Sequence, residues 1–272
     1  MTTIYSIING DFIVKNEASI LISDLSIQRG YGIFDYFRTI NNQPVFLEDH
    51  LDRFFYSASE LNLNVGLDRD QLKRLIQQLI EKNNIPDSGI RITLTGGYSE
   101  DGYSLAKPNL LITQTAFSFN TENFNNGIKL VTFEHQRQLP WIKTIDYLMA
   151  IRLQRFIKEN KADDVLYYSQ DTITECPRSN FFIVTQNDEV LTPGKNILRG
   201  ITRKKILDFY ELNVKETNIS LKDIENAKEA FIASTTKNVL PVFEIDGKAI
   251  GDGKPGKLTS DIYKKIGGLK EQ

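Results

Sequence analysis

Apolar residues recur with two different periods along the first 119 residues. "IYSIINGDFIV", residues 4–14, sets short apolar runs on both sides of "NGD" and predicts two strands around a turn. In "LEDHLDRFFYSASELNL" the apolar positions Leu47, Leu51, Phe54, Phe55, Ala58 and Leu61 fall at helical spacing. "DRDQLKRLIQQLIEKNNIPDSG" predicts a second amphipathic helix, with Asp68 as its cap, Gln71 three residues on, and Pro86 and Gly89 past its end. "GIRITLTGG" and "PNLLITQTAFSF" read as strands.

The Asn-rich stretch 120–127, "NTENFNNG", reads as a linker. Beyond it, "IKLVTFE" predicts a strand and "YLMAIRLQRFIKEN" a helix. The run from Asp164 to Pro193 predicts strand, turn, strand, turn, strand. "ITRKKILDFYEL" predicts a helix opening after Gly200, "EAFIASTTKNVLPVFEIDGKAIG" two or three strands, and 257–267 a final helix. Strands occur both in hairpins and between helices, so the pattern favours an α+β class over a doubly wound parallel sheet. The expected division is a domain at 1–119, a linker at 120–127 and a second domain at 128–272.

Composition narrows the chemistry. The 272 residues carry 33 Lys+Arg against 35 Asp+Glu, a net charge of -2, without the basic footprint of a nucleic-acid binder. No apolar run approaches a membrane span, and no signal segment is read at the N-terminus. One cysteine excludes an intrachain disulfide and fits a reducing cytoplasm. Two histidines and one cysteine disfavour a structural zinc site, and no metal is expected.

Several residues invite chemical roles. Lys143 stands in the largely apolar "LPWIKTIDYLMA"; a lysine there either snorkels to the surface or serves a reaction. Glu175 interrupts a strand-like segment, "TITECPRSNFFIV", as an exposed acid or an inward-facing one of shifted pKa. "RGITR" sets Ile201 and Thr202 at a helix start, which is either a plain terminus or an anion site. The hydroxyls Ser234, Thr235 and Thr236 either cap a turn or bind oxyanions. Arg29 opens a glycine-bearing loop, Arg91 lies on a strand among apolar residues, and Arg178 follows Glu175 as a surface charge or a pocket cation. An imine-forming lysine, an acid for a pyridine nitrogen, a phosphate grip and spare arginines for a carboxylate together match the needs of pyridoxal phosphate.

Six motifs in order, "RGYGIFDYFRT", "EDHLDRFFYSA", "IKTIDYL", "ITECPRSNFF", "LRGITR" and "ASTTKNVLPV", span nearly the whole chain. In this it resembles the class IV aminotransferases, fold-type IV pyridoxal-phosphate enzymes that include D-amino-acid and branched-chain aminotransferases and aminodeoxychorismate lyase. The resemblance implies a small α+β sandwich domain, a larger pseudo-barrel domain and a cofactor between them. It implies that Lys143 carries the cofactor and moves the proton, and that Glu175 serves the pyridine nitrogen. Arg53, Ile201, Thr202 and Thr235 would hold the phosphate, and Arg29, Arg91, Arg178 and Thr236 would meet the substrate. Tyr147 falls near the family's cofactor-oxygen tyrosine, four residues after the lysine rather than five. A homodimer is implied, with the Arg29 loop reaching across to the neighbouring subunit.

Substrate motifs depart from the best-defined subfamilies. Common D-amino-acid aminotransferases read "TRG" where this chain has Gly96-Gly97, and tyrosine where it has Phe34. Branched-chain enzymes carry an arginine matching Arg91 but usually a tyrosine near Arg29, and the lyases share only the short "TEC". The arginine set points to a non-standard D-amino-acid transaminase using D-glutamate and 2-oxoglutarate. The L-branched-chain transaminase and the lyase remain as alternatives.

Overall fold

The computed structural model describes residues 3–119 and 122–270. Its chain divides into two compact units. One comprises residues 1–118 with Ile142–Asp146; the other comprises Phe119–Trp141 with Tyr147–Gln272.

The first unit is built on an antiparallel six-stranded sheet. Its strands are β1 (Tyr5–Ile8), β2 (Asp11–Val14), β3 (Gly32–Ile40), β4 (Gln43–Pro44), β5 (Ser88–Thr95) and β6 (Leu110–Ala116), in the order β2-β1-β6-β5-β3-β4. Asn9 and Gly10, both at positive φ, turn β1 into β2 as the Asn-Gly signal predicts. Three helices join the strands: α1 (Leu25–Arg29), α2 (Leu47–Glu60) and α3 (Arg69–Asn83). The Asp68–Gln71 capping box forms as predicted and contributes about 1 kcal/mol to α3. The stretch read as a loop around Arg29 is instead α1. Asp24 caps it through Ser26 N, and Gly30 closes it in the left-handed conformation.

Alternation along β3 sets the two sheet faces apart. Ile33, Asp35, Phe37 and Thr39 are fully buried. The apolar members of this row pack with Leu51 and Phe54 of α2 and with Leu72 and Ile76 of α3. Phe34, Tyr36 and Arg38 point to the opposite face.

The second unit holds a ten-stranded mixed sheet that curls into a half-barrel. It opens with α4 (Glu122–Asn126), a short helix within the segment read as a linker, then β7 (Ile128–Glu134). The single helix expected over 147–160 is broken into α5 (Leu148–Arg152) and α6 (Gln154–Glu159). Next come β8 (Asp164–Ser169), β9 (Thr172–Ile173), β10 (Glu175–Cys176), β11 (Ser179–Val184), β12 (Val190–Pro193) and α7 (Ile201–Leu207). The chain closes with β13 (Val214–Thr217), α8 (Leu221–Glu225), β14 (Glu229–Ser234), β15 (Asn238–Ile245), β16 (Lys248–Ala249) and α9 (Lys257–Lys270). The sheet runs β13-β12-β11-β14-β15-β7-β8-β9, with β10 on β11 and β16 on β15. No described helix is long and apolar enough to cross a membrane.

Candidate active site

Lys143 belongs to the first unit, although 128–272 was expected to carry it. Its segment adds to the edge of β3: Phe34 N donates to Lys143 O at 2.9 Å, Ile145 N donates to Gly32 O at 3.1 Å, and Thr144 bridges Ile33. Lys143 N also donates to Ser57 Oγ on α2 at 3.4 Å. The lysine is therefore fixed at its backbone from two elements. Its Nζ lies 4.4 Å from the centroid of the Phe34 ring, and the Arg91 guanidinium lies 3.8 Å from the same centroid. Arg91 is exposed, and its Nε donates to Thr93 Oγ1 at 3.3 Å.

Behind Phe34, on the helix-facing side of β3, lies a buried ionic cluster. Asp35 accepts Arg53 Nε and Nη2, both at 2.8 Å, as a bidentate fork, and it accepts His50 Nδ1 at 2.7 Å. Burial alone would push the Asp35 carboxyl up; Arg53 and His50 outweigh it and hold the group far below the usual carboxylate range. Burial pushes His50 down, against the pull of Asp35, so the imidazole is neutral and donates from Nδ1.

In the second unit Glu175 is buried on β10. Its Oε1 accepts Arg137 Nε at 2.8 Å and its Oε2 accepts Leu198 N at 3.0 Å. The two-residue turn after β10 exposes Arg178 and brings Asn180 opposite Glu175. Asn180 Nδ2 donates to Leu198 O at 2.7 Å, so acid and amide grip both sides of one peptide-bearing residue. Two residues on, Gly200 precedes α7; a Cβ there would sit 2.1 Å from Asn180 Oδ1, so a side chain at 200 would displace the amide that holds Leu198 O. Ile201 and Thr202, buried, form the first turn of α7. Ser179 Oγ is buried with no hydrogen-bond partner among the described residues. The hydroxyl run lies in the β14–β15 hairpin: Thr235 is half-buried, Thr236 exposed, and Lys237 is pinned by Asp164 at 2.7 Å. Arg29 is exposed at the end of α1, with Nη1 donating to Gln28 O.

Sequence reading missed Asp35, His50, Ser57, Arg137 and Asn180. Only Asp35 left a signal, as a lone carboxylate inside the apolar alternation of "GIFDYF". The others are recognisable only by partners distant in the chain.

The fold defines a class. The Escherichia coli branched-chain amino acid aminotransferase superposes with a TM-score of 0.91 over 98% of this chain and 95% of its own, at 21% identity, a likeness of fold. The family pattern for class IV aminotransferases matches residues 32–245, and the chain belongs to that family. It is similar to the D-alanine aminotransferase of Staphylococcus haemolyticus, 31% identical over 271 residues, covering 96% of this chain and 95% of the relative. It is likewise similar to that of Bacillus licheniformis, 30% identical over 263 residues and 93% of each chain. The chain is thus an aminotransferase, and members of its family use pyridoxal phosphate. Each unit by itself carries groups of the kind that cofactor needs: the first a backbone-anchored amine, the second a buried carboxylate held by a cation and a glycine before the helix bearing Thr202.

Proposed function

We propose that the protein is a D-amino-acid transaminase that exchanges an amino group between a D-amino acid and a 2-oxo acid, with D-glutamate and 2-oxoglutarate as the pair. Its likeness to D-alanine aminotransferases over nearly the full chain supports the hand of the substrate. The observation that carries the carboxylate reading is Arg91, which shares the Phe34 ring with Lys143. The two ring distances, 3.8 and 4.4 Å, cap the separation of guanidinium and amine. A cation on the same ring as the reactive amine suits an acidic substrate.

Pyridoxal phosphate, when bound, supplies the aldehyde that takes up the amino group and the electron sink that eases loss of the substrate Cα proton. Lys143 is the residue that would carry the cofactor and, once displaced, hold and return that proton. Glu175, kept in place by Arg137 and Leu198 N, would hold the proton on the ring nitrogen. Arg53, Ile201, Thr202 and Thr235 would bind the phosphate. Arg29, Arg91, Arg178 and Thr236 would bind and orient the substrate.

A second reading, an L-branched-chain transaminase, draws support from Gly96, which lacks the arginine of common D-enzymes, and from Arg91, which matches the arginine of branched-chain enzymes. Half-reaction absorbance with paired D- and L-glutamate, alanine and leucine separates the two. Faster bleaching by D-glutamate or D-alanine supports the proposal; faster bleaching by L-leucine overturns it.

We assign the working form to a homodimer. Leu21, Ile22 and Ile27 near α1 and Tyr103 in the adjoining loop expose large apolar surfaces, Ile22 by 84% and Tyr103 by 85%. The two segments are joined by the Asp24–Tyr98 bridge and by Ser99 N, which donates to Ser23 O at 3.1 Å, and Arg29 ends the helix that follows Asp24. Sedimentation should give twice the chain mass, and Ile22→Lys should shift it to the monomer. The buried single cysteine suits a cytoplasmic setting.

A further inference from the structure

We propose that Asp35 is a positioning residue that locks the Arg53 guanidinium for the cofactor phosphate. The inference rests on the proposed role of Arg53 in binding that phosphate.

Asp35 is an anomaly in its strand. Ile33, Phe37 and Thr39 share its face, and all are fully buried. A bare carboxylate there would be costly, and the chain supplies donors from one stripe of α2. His50 and Arg53, one turn apart, both reach the carboxylate. Ser57, one further turn along the same stripe, accepts Lys143 N. A single helical face thus ties the arginine to β3 and the lysine segment to the helix. On β3 itself the ties fall on adjacent residues: Phe34 N donates to Lys143 O, and Asp35 holds Arg53.

Two of the three guanidinium nitrogens, Nε and Nη2, are committed to Asp35. The plane of the guanidinium is therefore set before an anion arrives. His50 adds a donor without adding charge, because burial keeps it neutral. The arrangement looks contrary to phosphate binding, since it puts an anion against the cation that should attract the phosphate. That contradiction gives the test its sign. If Asp35 only opposed the phosphate by charge, removing its charge would tighten binding. If it positions Arg53, removing its charge weakens binding.

The full-length protein, freed of cofactor, is titrated with pyridoxal phosphate and with pyridoxal, followed by quenching of its single tryptophan, Trp141. Asp35→Asn should weaken pyridoxal phosphate binding by roughly tenfold or more while leaving pyridoxal binding near the wild-type value. Arg53→Lys, which keeps the charge and gives up the fork, should show the same phosphate-specific loss and decides the matter should Asp35→Asn not fold. Wild-type or tighter pyridoxal phosphate binding by either variant overturns the proposal. An equal loss for both ligands also overturns it, because that marks general loosening. Arg53→Ala with unimpaired pyridoxal phosphate binding would instead remove Arg53 from the phosphate site and with it the reading on which this inference rests.

Discussion

Arg137 Nε donates to Glu175 Oε1 at 2.8 Å, and the same guanidinium donates through Nη2 to Pro140 O at 2.6 Å. The acid assigned to the ring nitrogen is therefore held by a cation that is itself anchored to the backbone. Both side chains are largely buried, Glu175 at 6% exposure and Arg137 at 17%. Breaking one half of such a pair strands the other. Arg137→Met should cost about 3 kcal/mol of stability in denaturant titrations. Glu175→Gln should keep the fold and lower the transamination rate by roughly 100-fold or more. The double variant Arg137→Met, Glu175→Leu should recover most of the stability but not the activity. A stable Arg137→Met with unchanged rates would show the pair to be incidental.

By resemblance, Gly96 takes the place of the arginine in the "TRG" of common D-amino-acid aminotransferases. Restoring that residue here should fail for a steric reason. A Cβ at 96 would lie 2.9 Å from Leu25 Cβ and 3.1 Å from Tyr31 Cδ1. Gly96→Arg should destabilise the protein by roughly 1–3 kcal/mol and bring no gain in affinity for D-alanine. By contrast, Arg91→Ala should raise the KM for dicarboxylic substrates with the cofactor spectrum intact. Steady-state kinetics with glutamate and alanine check both, and a Gly96→Arg variant of full stability and better affinity would refute the steric account.

His50 gives stability a pH dependence of predictable sign. Its folded pKa lies below the ordinary 6.5 because burial disfavours the charged ring. Below about pH 6.5 the unfolded chain takes up a proton at this site that the folded protein refuses. Stability therefore falls on acidification through that range and levels off above it, with at most about 1.4 kcal/mol per pH unit from this group. Asp35, held below the carboxylate range, adds its own loss only at lower pH. Denaturant midpoints between pH 5 and 7.5 should slope upward in the wild type and less steeply in His50→Gln. Equal slopes would mean that His50 is not buried as a neutral group.

Short-range features of this fold are legible in the sequence, and those that depend on distant partners are not. The Asn9-Gly10 turn, the Asp68–Gln71 box and the spacing of α2 each depend on neighbours within a few residues, and each appears as expected. Helix α1 escaped because its cap, Asp24, is also the acceptor for Thr95 Oγ1 and Asn109 Nδ2, partners more than 70 residues away. The segment Ile142–Asp146 joins the first unit through hydrogen bonds to Gly32 and Phe34, which nothing in "WIKTID" announces. Lys143 and Glu175 stood out as polar residues in apolar runs. Arg137 and Asn180, which hold Glu175 and Leu198, sit in stretches of ordinary polarity. Their roles exist only once the β10–β11 turn has formed.

Lys143 is proposed to carry the cofactor through its side-chain amine. Borohydride reduction of the cofactor-loaded protein, followed by peptide mass mapping, tests it directly. One reduced pyridoxal phosphate adduct is expected, located on Lys143 and lost in Lys143→Ala. An adduct on another lysine, or a loaded protein that yields no adduct at Lys143, would contradict it.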